Sequence, residues 1–226
     1  MTLQLLNSLI LEKKFGETII VENSAKIGIE ILIKAIFEAS RILNVPILVE
    51  DILDTFPIYA EHLKLMGVDI LKAENMKIFK IGGVKDIGEI AKKVPFESDL
   101  RMYLTIYREA FEKVAPKEQF FDLVFGLDRL FVLNDNPVEI STIIGAIKEF
   151  ITNENRIAFY FFEYPLVDNL MSKPLPILED LVTSVLRLEQ DKDTLIVNII
   201  KDIWAMKAKT RKIMIPIRDV FRGNVI

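Results

Sequence analysis

Five short runs, at 18–22, 46–50, 77–81, 120–125 and 157–162, are apolar on both alternations, as strands covered on two faces should be. Between them, apolar positions recur at three- and four-residue spacing near 25–43, 57–66, 99–114 and 137–152, which predicts helices. The last opens with Pro137, in a first-turn position where a missing N–H costs nothing. Strands alternating with helices imply a parallel sheet with crossover connections. From residue 179 the style changes: VTSVLRLEQDKDTLIVNIIK reads as two strands joined by a polar turn at 190–193, and KIMIPI supplies a further strand. About eight strands result, a parallel set followed by an antiparallel hairpin. Gly82 and Gly83 mark a turn after the third strand, and Gly88 opens a small excursion before the 99–114 helix.

At 226 residues the chain accommodates one large domain, and 1–226 is read as a single unit because no linker or low-complexity tract interrupts it. The opening MTLQLLNSLILEKKFGE lacks a basic leader, and Glu12, Lys13 and Lys14 break its apolar run, so it is not read as a secretory signal. No apolar run reaches membrane-spanning length; the richest, IAFYFFEYPLV, carries Glu163 and Pro165. A soluble, cytoplasmic protein without membrane contact is expected. Cysteine is absent, which excludes disulfides, thiolate metal sites and a cysteine nucleophile. Glutamine occurs only at positions 4, 119 and 190 beside abundant Lys, Glu and Ile, a balance found where heat penalises labile side chains. The net charge of -4 argues against nucleic acid as the main partner.

The stretch VENSAKIGIE, residues 21–30, lies where a phosphate-binding loop sits, between a strand and an apolar helix. Laid over GxxxxGK[ST], it puts Asn23 at the first glycine, Gly28 at the second, Ile29 at the lysine and Glu30 at the hydroxyl. Isoleucine supplies no charge to a phosphate, and glutamate supplies the wrong one. Lys26, Glu30, Lys34 and Glu38 recur every four residues with Arg41 following, a single polar stripe on an otherwise apolar helix. Because the stripe reaches back to Lys26, the helix is expected to begin near Ala25 with Asn23 or Ser24 as its N-cap. On that expectation the stretch is a plain strand-to-helix turn.

Several motifs in order resemble the KaiC-like branch of the RecA superfamily, and the chain looks similar to a small archaeal family of unknown function with that fold. Phe15-Gly16-Glu17 resembles a GE-turn before the first strand, PILVED a second strand ending in paired acids, and VFGLDRL a Walker B strand. ILEDLVTSVLRLEQ followed by TLIVNIIKDIW resembles the closing hairpin. The resemblance spans nearly the whole chain. It implies a RecA-like three-layer α/β fold with a mostly parallel eight-stranded sheet of order 3-2-4-5-1-6-7-8, strand 7 antiparallel and helices on both faces. It also brings the first, second and fourth strand ends together, so that Asn23, Gly28, Glu30, Glu50, Asp51 and Asp128 outline a degenerate nucleotide site.

Each candidate also has a plainer role. Glu50 and Asp51 stand where relatives activate the attacking water, which is useful only beside a held phosphate; otherwise they cap the next element. Asp128 is a Walker B candidate with which Gly126 competes for the position, and an Asp-Arg pair at a strand end is ordinarily a local salt bridge. His62 is the only histidine, so no His cluster or Ser/His/Asp arrangement exists. Lys207, Lys209, Arg211 and Lys212 beside Trp204 could contact nucleic acid by charge and stacking, although a solvated hairpin tip is the favoured reading. The favoured reading is a non-catalytic RecA-like scaffold or regulatory domain that has lost its ATP site, with no cofactor and no metal, and with a protein partner or self-association. The alternatives are a weak nucleotide-binding protein or ATPase using ATP and Mg²⁺, and a nucleic-acid accessory protein. The acids Glu30, Glu50, Asp51 and Asp128, expected along one edge, call for a proton, a lysine or a divalent cation to relieve them.

Overall fold

The computed structural model describes residues 2–97, 99–151, 153–204 and 211–221. The strands are β1 Thr18–Asn23, β2 Ile47–Ile52, β3 Met76–Ile81, β4 Ile90–Val94, β5 Phe120–Phe125, β6 Arg156–Glu163, β7 Ser184–Asp191, β8 Thr194–Asp202 and β9 Lys212–Pro216. They form one sheet of order β4-β3-β2-β5-β6-β1-β7-β8-β9. Every pair from β4 across to β7 is parallel, and β8 runs antiparallel to both its neighbours. This is the expected order with one strand added at the edge. The added strand, β4, escapes pattern reading because Ala91, Lys92 and Lys93 are exposed and only its last residue is buried. Lysines on an edge strand protect it from pairing with another chain.

Alternate residues of the central strands feed two cores. On one face, Ile19, Val21, Val49, Phe121, Leu123, Phe125, Phe159 and Phe161 meet α1 (Thr2–Leu11), α2 (Gly28–Leu43) and α3 (Phe56–Leu65). On the other, Ile20, Leu48, Phe120, Val124, Ala158 and Phe162 meet α4 (Leu100–Val114), α5 (Leu127–Leu133), α6 (Pro137–Phe150) and α8 (Pro174–Leu181). The short α7 (Tyr164–Asp168) and α9 (Ile217–Val220) follow β6 and β9. The result is a three-layer RecA-like fold. Burying both faces explains why the inner strands read as unbroken apolar runs.

Two turns are fixed by backbone conformation. Gly82 and Gly83 adopt φ of +66° and +71°, the left-handed region that a glycine tolerates best. A Cβ on Gly83 would lie 2.4 Å from Asp54 Oδ1, whose carboxylate accepts the N–H groups of Val84 and Lys85. Among the described residues, no helix is long and apolar enough to cross a membrane.

Candidate functional site

The carboxyl ends of β1, β2, β5 and β6 define one edge of the sheet, the position at which open α/β folds hold ligands. The β1–α2 connection there is a loop. Contrary to the helix expected from Ala25, α2 begins at Gly28, its N-cap is Ile27, and no side chain caps it. The polar stripe persists back to Lys26 because the turn keeps that side chain exposed, and helical spacing alone cannot distinguish this from another helical turn.

The loop is nevertheless closed, by different means. Ser24 N–H donates to Leu188 O at 2.8 Å, which extends the β1–β7 ladder one step beyond the strand. Ala25 N–H donates to Asn23 Oδ1 at 3.2 Å, and Lys26 N–H donates to Gln190 Oε1 at 3.2 Å. The Asn23 carboxamide also donates to Ala25 O at 2.9 Å, so the turn is folded onto this side chain. Gly28 has a packing reason to lack a side chain, since its Cβ would meet Asn23 Oδ1 at 2.6 Å and Leu188 Cδ1 at 3.1 Å. The amides of Ser24, Ala25 and Lys26 in the first half of the loop are thus bonded within the protein, while the first turn of α2 carries no side-chain cap.

Beside the loop, Glu163 at the end of β6 gathers a polar cluster. Tyr59 on α3 donates its hydroxyl to Glu163 Oε1 at 2.8 Å, and Asn23 Nδ2 donates to the same carboxylate at 3.0 Å. Burial and the neighbouring acids Asp128 and Glu30 oppose the lowering effect of these bonds and raise the Glu163 pKa. Asp128, in the first turn of α5, accepts from Arg129 N at 2.8 Å and from Glu163 N at 3.1 Å; burial raises its pKa against those bonds. Its partners are backbone amides, so it ties the start of α5 to the end of β6, and the hydrogen bond from Arg129 comes from the main chain rather than the guanidinium. Glu30 is buried and lies 2.7 Å from Nδ1 of the half-exposed His62. Asn23, Gly28, Glu30 and Asp128 are therefore brought together, with Tyr59, His62 and Glu163 added.

Glu50 and Asp51 part company. Asp51 points to the α3 side, where Oδ1 accepts Phe56 N–H at 2.9 Å and Oδ2 meets Lys80 Nζ at 2.6 Å. Lys80 also bonds Asp54, and although burial pulls its pKa down, the two carboxylates leave it raised. Adjacent strand residues face opposite sides, so Glu50 is buried in the other layer, where it accepts from Tyr107 OH at 3.1 Å. The expected four-acid edge is corrected accordingly: Glu50 is absent from it, and Lys80 neutralises Asp51.

The sequence reading missed Lys80, Tyr59, Glu163 and the buried group Asp122–Arg156. A usable signal was present, because a charged residue in the buried interior of an apolar strand (Lys80 in MKIFKI, Asp122 in FFDLVF) must find a buried partner. Of the basic run, Lys207 and Lys209 lie outside the described residues. Trp204 stacks beneath Lys14, whose Nζ is 3.7 Å from the ring centroid, and Lys212 opens β9.

Sheet order, layering and site edge define a RecA-like α/β protein. Residues 8–211 match the family DUF257, described as Pyrococcus protein of unknown function, and the chain belongs to that family. It is similar to a Pyrococcus horikoshii OT3 protein from a structural study, with 30% identity over 96% of this chain and 98% of that one and a TM-score of 0.75. A KaiC-like protein from the hyperthermophilic archaeon Pyrococcus horikoshii OT3 shares the fold, with a TM-score of 0.53 at 12% identity over 83% of this chain and 79% of that one. Comparison with curated proteins gives no match.

Proposed function

We propose that this protein is a RecA-like domain whose nucleotide loop has become a structural turn, and that it acts through its surface as a scaffold or regulatory partner. The observation that carries this reading is the filling of the loop: Asn23 takes the Ala25 amide, Gln190 takes the Lys26 amide, and the space above Gly28 belongs to Asn23. The residues do not fit a magnesium nucleotide. Ile29 and Glu30 replace the phosphate lysine and the metal-binding hydroxyl, and Glu163 and Asp128 add carboxylates to the same edge. Glu50, the candidate for activating water, faces away.

A surface role is supported by exposed apolar residues on two adjoining segments. Asp135 accepts hydrogen bonds from Met171 N and Ser172 N, which joins the α5–α6 connection to the α7–α8 connection. Around that junction Leu133, Val138 and Met171 are exposed, Met171 to 91%. Apolar side chains grouped in this way are typical of contact surfaces.

The test is calorimetry with ATP and Mg²⁺ at the working temperature, together with a phosphate-release assay. The expected outcome is no hydrolysis above background and no affinity tighter than millimolar, about -4 kcal/mol. Micromolar magnesium-dependent binding would restore the nucleotide-binding alternative. Tight single-stranded DNA binding at physiological salt, abolished by Lys209→Glu with Arg211→Glu, would favour the nucleic-acid alternative.

A further inference from the structure

On the sheet face opposite the loop, Glu50 of β2, Asp122 of β5 and Arg156 and Tyr160 of β6 lie buried together beneath α4 and α6. Arg156 Nη1 bonds Asp122 Oδ2, and Nη2 donates to Tyr160 OH at 3.1 Å. The guanidinium also lies 5.5 Å from the Phe150 ring centroid and 5.9 Å from that of Phe111. Tyr107 OH donates to Glu50 Oε1.

This accounting leaves two acceptors over. Glu50 Oε2 and Asp122 Oδ1 are both fully buried and neither receives a hydrogen bond from the protein. Arg156 Nε is the one unmatched donor of the cluster, and it bonds to neither. Buried carboxylate oxygens without donors are rare in folded proteins because each carries an unrecovered desolvation cost. The charges are also unequal, with two carboxyl groups against one guanidinium. The titratable and charged groups facing Glu50 are Tyr103 and Tyr107 from α4, Asp122 from β5, and Arg156 and Tyr160 from β6; the lining from α5 and α6 is apolar. The missing element is one positive charge that is also a donor.

We propose that Glu50 and Asp122 share a single proton in the folded protein, with the Glu50 carboxylic acid donating to the Asp122 carboxylate, so that folding takes up one proton at this site. The proton supplies the missing donor and leaves one carboxylate for one guanidinium. Glu50 then acts as a neutral hydrogen-bonding side chain, joining β2 to β5 below the sheet. The neighbouring cavity of about 30 Å³, lined in part by Glu50, Tyr103, Tyr107 and Tyr160, has room for a water molecule. Burial first, and Asp122 second, favour the protonated Glu50 and hold its pKa well above the ordinary glutamate value.

Two measurements test this. Unfolding of the wild type and of Glu50→Gln is followed against pH; glutamine has nearly the shape of the protonated acid. The folded pKa is raised, so the wild type keeps its full stability from this site below the unfolded glutamate pKa and loses it as pH rises toward the folded value. The ratio of the two unfolding constants should change about tenfold per pH unit across the neutral range, with the variant the more stable at high pH. Identical slopes, or stability of the wild type that depends on Na⁺, K⁺ or NH₄⁺ at constant ionic strength where the variant's does not, would overturn the proposal. In the second case a cation takes the proton's place. If Glu50→Gln does not fold, infrared spectroscopy of Glu22→Gln, which lacks the carboxyl group raised to about 7 elsewhere in the protein, decides. A protonated-carboxyl carbonyl band should be present in the folded protein at neutral pH and shift in heavy water, and its absence contradicts the proposal.

Discussion

Lys80 and Asp51 are directly opposed residues of the paired strands β3 and β2, and the ammonium lies 2.6 Å from the carboxylate with both side chains buried. The contact removes Asp51 from any role as a free base at the sheet edge. It also orders the turn beyond β2, because Asp51 accepts from Phe56 N–H at the start of α3 and Lys80 continues to Asp54.

Removing one partner of such a pair leaves an uncompensated buried charge, so Lys80→Met is expected to cost about 3–5 kcal/mol in chemical denaturation. Asp51→Asn in the Lys80→Met background keeps the acceptor for Phe56 N–H while deleting the charge. It should recover more than half of the loss. A single-variant cost below about 1 kcal/mol would mean that the pair is solvated.

The loop makes a prediction about coupling. Gly28→Ala alone places a methyl against Asn23 Oδ1 and should cost about 1–3 kcal/mol, and Asn23→Ala alone should cost a similar amount through lost buried hydrogen bonds. Once Asn23 is shortened the clash disappears. The double variant should therefore lose at least about 0.5 kcal/mol less than the sum of the single losses, measured by a thermodynamic cycle. Strict additivity would show that Asn23 does not fill the space over Gly28.

Glu22 predicts a pH effect on the α8 side of the same strand end. Burial, and after it the nearby Glu179, push its pKa up to about 7 against the pull of Arg187, whose Nε lies 2.7 Å away. A raised folded pKa means stability that is complete below the unfolded value of 4.5 and is lost as pH rises toward 7. Glu22→Gln should flatten wild-type stability between those limits, by an amount on the order of 3 kcal/mol at most. An unchanged profile in denaturant unfolding at several pH values would exclude the shift.

Most of the strands were legible because buried parallel strands are apolar on both faces, and their order was implied by the resemblance to KaiC-like domains. What failed has two causes: periodicity locates a face but says nothing about what stands opposite, and a largely exposed edge strand leaves no apolar pattern. Lys26 prolongs the helical stripe of α2 although it sits in the preceding turn, and β4 carries too few buried residues to register. Glu50 and Asp51 read as a pair although a strand sends them to different cores. The partners that decide the site, Lys80, Tyr59 and Glu163, come from positions 80, 59 and 163, separated along the chain and joined only by the sheet order and the docking of α3.

Two glycines of similar appearance in the sequence should respond in opposite ways to the same substitution. Gly126 follows β5 as the N-cap of α5 with φ of +89°, and an added Cβ would stand 2.2 Å from Ile52 O and 2.6 Å from Thr55 Oγ1, the hydroxyl that donates to that carbonyl. Left-handed backbone costs an L-residue about 1–2 kcal/mol, and the contact with the β2 backbone adds to this because a carbonyl in a paired strand cannot move aside. Gly126→Ala should therefore lose more than about 2 kcal/mol and loosen the α5 start that positions Asp128. Gly145 lies within α6 with no heavy atom within 4 Å of its added Cβ. There alanine reduces the freedom of the unfolded chain and favours the helix, so Gly145→Ala should gain about 0.5–1 kcal/mol. Thermal and denaturant unfolding of the two variants side by side provide the measurement, and a Gly126→Ala protein as stable as wild type would show that β5 does not approach Ile52 as closely as described.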